Sequence, residues 1–351
     1  MKTIRFGILG SGFMGSTHAE AIRRLPNATL VALTGGSRAP ALAEKHGVPC
    51  DPSLDALLRR PDLDALIVTT PHHLHVEEAV KAFAAGKHVL VEKPLATSVA
   101  DCDRILAAAA RSGKALGLGY QQRFRVNNAR AHDLIRDGAI GRVLTIQASM
   151  PMYAGAVKSG GFGGNWEWWN NPASLGHLLN SAPHAIDILR WFTGGEVATV
   201  SAFCRTLLPD VPVEDTTMAL LELNTGAICS LFSSRALPTP SFPGEEFRFR
   251  IVGATGLIDL DAYSELRLND GKGWRVMSTQ PTVGHEGANT AYGDVRMQAY
   301  CDQLASFIDR VEGKTPTVVG SGADGRAGVA ACLAMLRSSA ERRWVSLDEK
   351  P

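Results

Sequence analysis

The chain has no apolar run approaching the roughly 18 residues that a membrane-spanning helix requires, no CxxC pair, and no surplus of charge of either sign. Each absence removes a class of function. The six cysteines, at 50, 102, 204, 229, 301 and 332, are too scattered for a disulfide framework or a zinc knuckle, which leaves buried, reduced thiols as the expectation. Lys plus Arg number 36 against 35 Asp plus Glu, a balance of +1. Nucleic-acid binding needs positive charge gathered on one face, so no such partner is expected. Apolar residues at 45% and charged residues at 20% exclude a disordered chain. Lys2 and Arg5 precede an apolar patch, as in a secretory signal, but that patch (Phe6 to Leu9) is too short and runs into Gly10, Gly12 and Gly15. The expectation is a cytoplasmic protein without a membrane partner.

What is present is a change of pattern part-way along. At 351 residues the chain is too long for one compact core and implies two domains. Over the first third, short apolar runs (4–9, 30–33, 65–69, 88–91, 115–118) alternate with helical periodicity (14–25, 39–46, 54–59, 74–85, 99–111). Val48-Pro49-Cys50 offers one more short strand. Strict alternation means parallel pairing with crossover helices, hence a doubly wound α/β sheet. After Tyr120 the pattern changes. A helix over 127–136 and a strand over 142–149 lead into an irregular, glycine- and aromatic-rich stretch, 151–173. A helix over about 180–192 follows, with Pro183 in its first turn, where a missing N–H costs nothing. Strands over 197–207, 215–223, 227–234, 246–252, 257–260, 265–268 and 273–277, with hairpins at Asn224-Thr225-Gly226 and Asn269-Asp270-Gly271, form a mostly antiparallel sheet. Helices over 294–311 and 323–339 close the chain. The domains are expected at 1–121 and 122–351, the second being α+β with a large open sheet.

Gly10-Ser11-Gly12-Phe13-Met14-Gly15 is a GxGxxG directly after the first strand and opening the first helix. Such glycines permit a tight turn and close backbone approach, and the helix N-terminus presents free N–H groups to a pyrophosphate. The motif alone is weak; here a strand precedes it and a helix follows, as dinucleotide binding requires. The second strand then ends in Thr34-Gly35-Gly36-Ser37-Arg38, with no acid before Glu44 to hold a ribose diol. Ser37 and Arg38 suit a 2′-phosphate, which favours NADP(H), with NAD(H) as the alternative. The plainer reading makes Arg38 a solvated residue at the start of the next helix. Two further strand ends carry polar groups toward the crevice where ligands bind in such sheets: Thr70-Pro71-His72-His73-Leu74-His75 and Val91-Glu92-Lys93-Pro94.

The GxGxxG turn, Thr70-Pro71 followed by His75, and Glu92-Lys93-Pro94 together resemble the glucose–fructose oxidoreductase, inositol dehydrogenase and rhizopine-catabolism (Gfo/Idh/MocA) family. Gln122-Arg123-Phe124, Gly138-Ala139-Ile140-Gly141 and Leu179-Asn180-Ser181-Ala182-Pro183-His184-Ala185-Ile186-Asp187 resemble the family's linker, first turn of the second domain and DxGxHxxD helix motif. The resemblance implies a Rossmann domain and a nicotinamide-dependent oxidoreductase acting on a secondary hydroxyl or ketone of a sugar, sugar derivative or cyclitol. It implies Lys93 and His184 beside the reacting carbon, with Asn180 where aspartate is common. Gly10, Gly12, Phe13, Met14, Gly15, Ser37, Arg38, Thr70, Pro71, His72, His75, Glu92, Lys93 and Gln121 are the expected cofactor contacts. Asparagine can hydrogen-bond a hydroxyl but takes no proton, so proton transfer rests on Lys93, His184 or both. Rival readings are an enzyme that retains and recycles its nicotinamide, for glycoside cleavage or sugar-to-sugar transfer, and a cofactor-sensing regulator.

Trp166, Trp168 and Trp169 are balanced between plain core and a sugar-stacking pocket; Trp166 and Trp168 join Lys93, Asn180 and His184 as candidate substrate contacts. His18 is read as packing, and His46, His88 and His132 as surface or strand-edge groups without metal spacing, so no metal is expected. Alternation in residues 216–223 leaves one face of the second sheet apolar, and a homodimer or homotetramer through that sheet is expected.

Overall fold

A computed structural model describes residues 3–153, 167–209, 211–238, 247–280 and 293–349. The chain divides into two compact units: the first takes the chain to Gln121 and returns with residues up to Arg326, and the second takes most of the remainder.

In the first unit five strands, β1 (Ile4–Leu9), β2 (Ala28–Thr34), β3 (Ala65–Val68), β4 (His88–Val91) and β5 (Leu116–Leu118), form a sheet in the order β2-β1-β3-β4-β5. Every pairing is parallel. The Val48-Pro49-Cys50 segment supplies only a single parallel bridge, Leu33 to Cys50. The strands read as largely apolar runs because their inner parts are covered on both faces: all of β3 is buried, as are Phe6, Ile8 and Val89 to Val91. The covering helices are α1 (Phe13–Arg24), α2 (Ala39–His46), α3 (Leu54–Leu58), α4 (His75–Ala84) and α5 (Val99–Ser112). Ser98 caps α5 by accepting the Asp101 N–H at 3.0 Å, and Gly113 ends it in the left-handed region. A later helix, α8 (Asp294–Val311), belongs to this unit as well. It packs on α1 and sets Phe307 against Phe6.

The second unit is a nine-stranded sheet in the order β13-β12-β11-β10-β6-β9-β8-β7-β14. Its strands are β6 (Val143–Tyr153), β7 (Val197–Arg205), β8 (Thr216–Leu223), β9 (Ile228–Leu237), β10 (Arg248–Gly253), β11 (Leu257–Asp261), β12 (Glu265–Asn269), β13 (Trp274–Thr279) and β14 (Val345–Ser346). Only β6 and β9 pair in parallel. Helices α6 (Val126–Arg136) and α7 (Gly176–Thr193) pack on it, and α9 (Gly322–Glu341) runs near the C-terminus. Along β8, Thr217, Ala219, Leu221 and Leu223 are buried, whereas Met218, Leu220 and Glu222 are exposed on the opposite face.

Three expectations are corrected. Helix α7 begins at Gly176, four residues before the predicted start, so Pro183 lies in the helix interior rather than in the first turn. The early start is set from outside the segment: the His177 N–H donates to the Glu214 carbonyl at 2.9 Å, and the Leu178 N–H to Glu214 Oε2 at 2.6 Å. No local pattern encodes that cap. Strand β6 runs to Tyr153, taking the first residues of the stretch read as irregular, and short 3-10 turns occupy Glu167–Asn170 and Pro172–Ser174. All six cysteines are free, but Cys50 is exposed, not buried.

Candidate active site

In the first unit β1 runs straight into the glycine-rich turn. Gly10 adopts φ +107°, and a Cβ there would meet Thr69 Oγ1 at 2.6 Å. At Gly15 a Cβ would sit 2.0 Å from the Gly10 carbonyl oxygen, so α1 is pinned against the turn. Gly12 differs. A Cβ there would fit without a clash, its nearest neighbour being Arg38 Nη2 at 3.7 Å, an ordinary van der Waals contact. Gly12 begins α1 with no side-chain cap and no acid in the first turn, where Phe13 and Met14 follow it. The helix end therefore keeps its N–H groups and the positive end of its dipole for an anion. At the end of β2, the Thr34 hydroxyl is spent on the Asp51 carbonyl at 2.7 Å. Gly35 and Gly36 both take positive φ and fold back on the turn, where a Cβ on Gly36 would lie 2.7 Å from Ser11 Oγ. Ser37 and Arg38 are exposed, with the Arg38 guanidinium reaching over Gly12.

At the end of β3, the Thr70 hydroxyl donates to the Glu78 carboxyl, which burial pushes up to about 7. Pro71 leads into the short turn His72–Leu74, with His72 buried. The buried ring of His75 lies between two strand ends: Nε2 is 2.8 Å from the Thr70 carbonyl and Nδ1 2.9 Å from the Pro94 carbonyl, and the ring N–H bonds one of them. Burial lowers its pKa. At the end of β4, buried Glu92 places Oε1 2.8 Å from His18 Nε2 and accepts the Lys93 N–H on Oε2 at 3.2 Å. A Cβ on Gly119 would fall 2.8 Å from that carboxyl carbon. Burial pulls the Lys93 ammonium down to about 8, against the opposing charge of Glu92. Buried Gln121 opens the turn after β5.

In the second unit Asn180 and His184 are buried on α7, His184 edge-on to Phe247 with ring centres 6.4 Å apart. One turn beyond His184, Asp187 takes Arg123 Nε at 2.8 Å and Nη2 at 2.5 Å in a buried two-point pair. Gln122 Nε2 donates to the Tyr263 hydroxyl at 2.7 Å. One turn before Asn180, His177 stacks on the buried Trp169 ring at 5.6 Å. Trp166 and the Trp168 side chain lie outside the described residues.

Two sequence profiles match this chain. Residues 4–120 match an oxidoreductase family with an NAD-binding Rossmann fold, and residues 128–259 match the Gfo/Idh/MocA C-terminal domain. The chain belongs to the Gfo/Idh/MocA family. It is an oxidoreductase. A myo-inositol 2-dehydrogenase of Thermotoga maritima is 26% identical over 361 residues, covering 99% of both chains. An inositol 2-dehydrogenase of Rhizobium meliloti is 27% identical over 357 residues, covering 98% of this chain and 99% of its own. Among solved structures, GenD2 from gentamicin A biosynthesis, in complex with NAD, superposes with a TM-score of 0.83 at 27% identity, covering 99% of this chain and 97% of that one.

Within this Gfo/Idh/MocA chain, several site-forming residues were not singled out by the sequence. His18, read as packing, is buried but is also the partner of Glu92; its only signal is its place in the second turn of α1. Arg123 and Asp187 lay inside quoted motifs, yet their pairing across 64 residues has no local signature. Among the described residues no group of three or more His, Cys, Asp or Glu gathers as a metal site.

Proposed function

We propose that this enzyme transfers hydride between NADP(H) and a secondary hydroxyl or ketone of a sugar, sugar derivative or cyclitol. The observation that carries the reading is Lys93: an amine drawn down to about 8 at the end of β4, in the same parallel sheet whose β1 ends in the glycine-rich turn. The inositol dehydrogenases among its relatives support the substrate class.

The residues fit a dinucleotide, since the one glycine of the turn where a Cβ would meet no clash is also the helix start without a side-chain cap. In this reading residues 1–121 hold the cofactor. Gly10, Gly12, Phe13, Met14 and Gly15 receive the pyrophosphate, Ser37 and Arg38 the 2′-phosphate, and Thr70, Pro71, His72, Glu92 and Gln121 flank the remainder. His75 acts by holding one of the Thr70 and Pro94 carbonyls with the single N–H of its neutral ring. When bound, the nicotinamide accepts or returns the hydride. The neutral amine of Lys93 takes the hydroxyl proton during oxidation and its ammonium returns one during reduction. Glu92 holds the Lys93 N–H on one oxygen and His18 on the other, which fixes the lysine's backbone. Residues 122–351, apart from the α8 region that joins the first unit, bind the substrate: Asn180 hydrogen-bonds a hydroxyl, and His184 binds or relays the proton, with Asp187 and Arg123 fixing the helix that carries both.

The same domain forms the oligomer in this proposal. Phe203, Met218 and Leu220, exposed by 66%, 62% and 49%, lie together on one face, Phe203 opposite Met218 in the ladder. A second copy of that face would cover them. Six free thiols suit a cytoplasmic setting.

The test is reduced-nicotinamide absorbance with NADP+ or NAD+ against a panel of sugars and cyclitols, in wild type and Arg38→Ala. Expected is turnover with NADP+ favoured. The charge-assisted contact at Arg38 is worth about 1.5–3 kcal/mol, so the substitution removes about ten- to a hundredfold of that preference. Equal affinity for both cofactors in wild type refutes the choice of NADP(H).

A further inference from the structure

Strand β9 turns alternate residues toward α7, and the buried positions Cys229 and Leu231 are apolar as a core requires. The row continues with Ser233 and Arg235, exposed by 0% and 1%. A fully buried arginine is costly unless its charge and N–H groups are matched. This one is matched only in part. Nη2 donates to Asn170 Oδ1 at 2.8 Å, and the guanidinium lies over the Trp169 ring at 5.4 Å. Among the described residues Nε and Nη1 have no hydrogen-bond partner, and neither does the Ser233 hydroxyl two residues earlier on the same face.

The nearby acids do not supply the missing acceptor. Glu214 spends Oε1 on the Thr217 hydroxyl and Oε2 on the Leu178 N–H. Asp215 takes the N–H groups of Leu207 and Leu208 and the Thr216 hydroxyl. No carboxylate of a described residue makes an ion pair with Arg235. Burial accordingly pulls the guanidinium below its ordinary pKa, the more distant acids only opposing it. Trp169 in turn stacks on His177. On α7 residues three and seven apart share a face, so Asn180 stands one turn and His184 two turns further along from His177. The unmatched guanidinium therefore joins, through Trp169 and His177, the helix face assigned above to the substrate.

We infer that Arg235, with Asn170 orienting it and Trp169 as a platform, is a subsite for an anionic group on the substrate, so that the preferred substrate is an acidic sugar bearing a carboxylate or a phosphate rather than a neutral polyol. Guanidinium N–H groups suit either oxyanion, and stacking on an aromatic face holds the fork in place. The anionic group sits toward the start of α7, remote from the carbon beside His184. The inference rests on the substrate-binding role proposed for α7.

The test uses the full-length enzyme with saturating NADP+ and matched probes of gluco, galacto and manno configuration: the neutral hexose, its uronate and its 6-phosphate. Binding is read by calorimetry and turnover by nicotinamide reduction, in wild type, Arg235→Gln and Arg235→Lys. Expected is at least one anionic probe binding about 10- to 100-fold more tightly than its neutral counterpart. The ratio should fall to near one in Arg235→Gln and be partly kept in Arg235→Lys. A preference for the uronate or for the phosphate identifies the oxyanion. Anion-selective binding without turnover upholds the subsite and counts against the redox reading. Turnover of neutral sugars without anion preference in wild type overturns the subsite and leaves the redox reading standing. No measurable binding of any anionic probe, or an Arg235→Gln variant that folds and keeps the anion preference, also overturns it. The wild-type ratio decides even if both variants fail to fold.

Discussion

Two glycines three residues apart are expected to answer the same substitution in opposite ways. At Gly15 an added methyl would lie 2.0 Å from the Gly10 carbonyl oxygen and 3.0 Å from its carbon, both backbone atoms. Neither has a rotamer to yield, so α1 must move by more than 1 Å against β1 to restore van der Waals distance. Overpacking of that kind costs about 1–3 kcal/mol and more where backbone resists. At Gly12 the methyl meets nothing closer than 3.7 Å, and φ is −73°, which any residue adopts. Losing glycine at a helix start costs a few tenths of a kcal/mol to about 1, offset by a gain of about 0.4–1 from the stiffer unfolded chain. Gly12→Ala should therefore melt near wild type, whereas Gly15→Ala should melt lower by several degrees. Binding separates them again. The Gly12 methyl occupies the space through which a pyrophosphate reaches the helix N–H groups, so Gly12→Ala should lose at least about tenfold in NADPH affinity while folded. Thermal denaturation with and without NADPH, together with fluorescence titration of the reduced cofactor, measures both. Gly12→Ala binding as tightly as wild type, or Gly15→Ala with unchanged stability, would refute the reasoning.

Asp187→Ala leaves the Arg123 guanidinium buried without its two-point partner, and about 3–5 kcal/mol of stability should be lost; a loss under about 1 kcal/mol in chemical denaturation would show that the pair is not structural. Met218→Glu with Leu220→Glu places charge on the apolar outer face of the second sheet, so light scattering should find monomers where the wild type is a dimer or larger. A wild-type monomer at micromolar concentration would remove that interface.

The parallel sheet was legible because its strands are buried on both faces and the helices between them keep their own period. Glycine and the strand–turn–helix context marked the nucleotide turn for a local steric reason, and the Gly15 contact with the Gly10 carbonyl is that reason made visible. The start of α7 was not legible, because its first N–H groups are satisfied by Glu214, 36 residues beyond Leu178. Arg123 with Asp187 and His18 with Glu92 pair across 64 and 74 residues, distances over which periodicity carries no information. The place of α8 in the first unit likewise depends on Arg24 meeting Asp294 at 2.9 Å and Arg296 lying over Phe13, contacts that only folding brings about. Arg235 reads in the sequence as an ordinary strand arginine; its burial and its unmatched N–H groups emerge only in three dimensions.

The central claim, that Lys93 carries the proton, is tested most directly by the pH dependence of kcat for oxidation of the best sugar or cyclitol substrate in wild type and Lys93→Met. The ammonium lies at about 8 because burial disfavours its charge. Below that pH it is protonated and cannot accept a proton, so oxidation should rise with pH and level off above about 8, while ketone reduction should fall over the same range. Lys93→Met should retain cofactor binding, lose at least about 10²-fold in kcat and lose that ionisation. A Lys93→Met variant with near-wild-type kcat, or with the wild-type pH profile intact, would contradict the account.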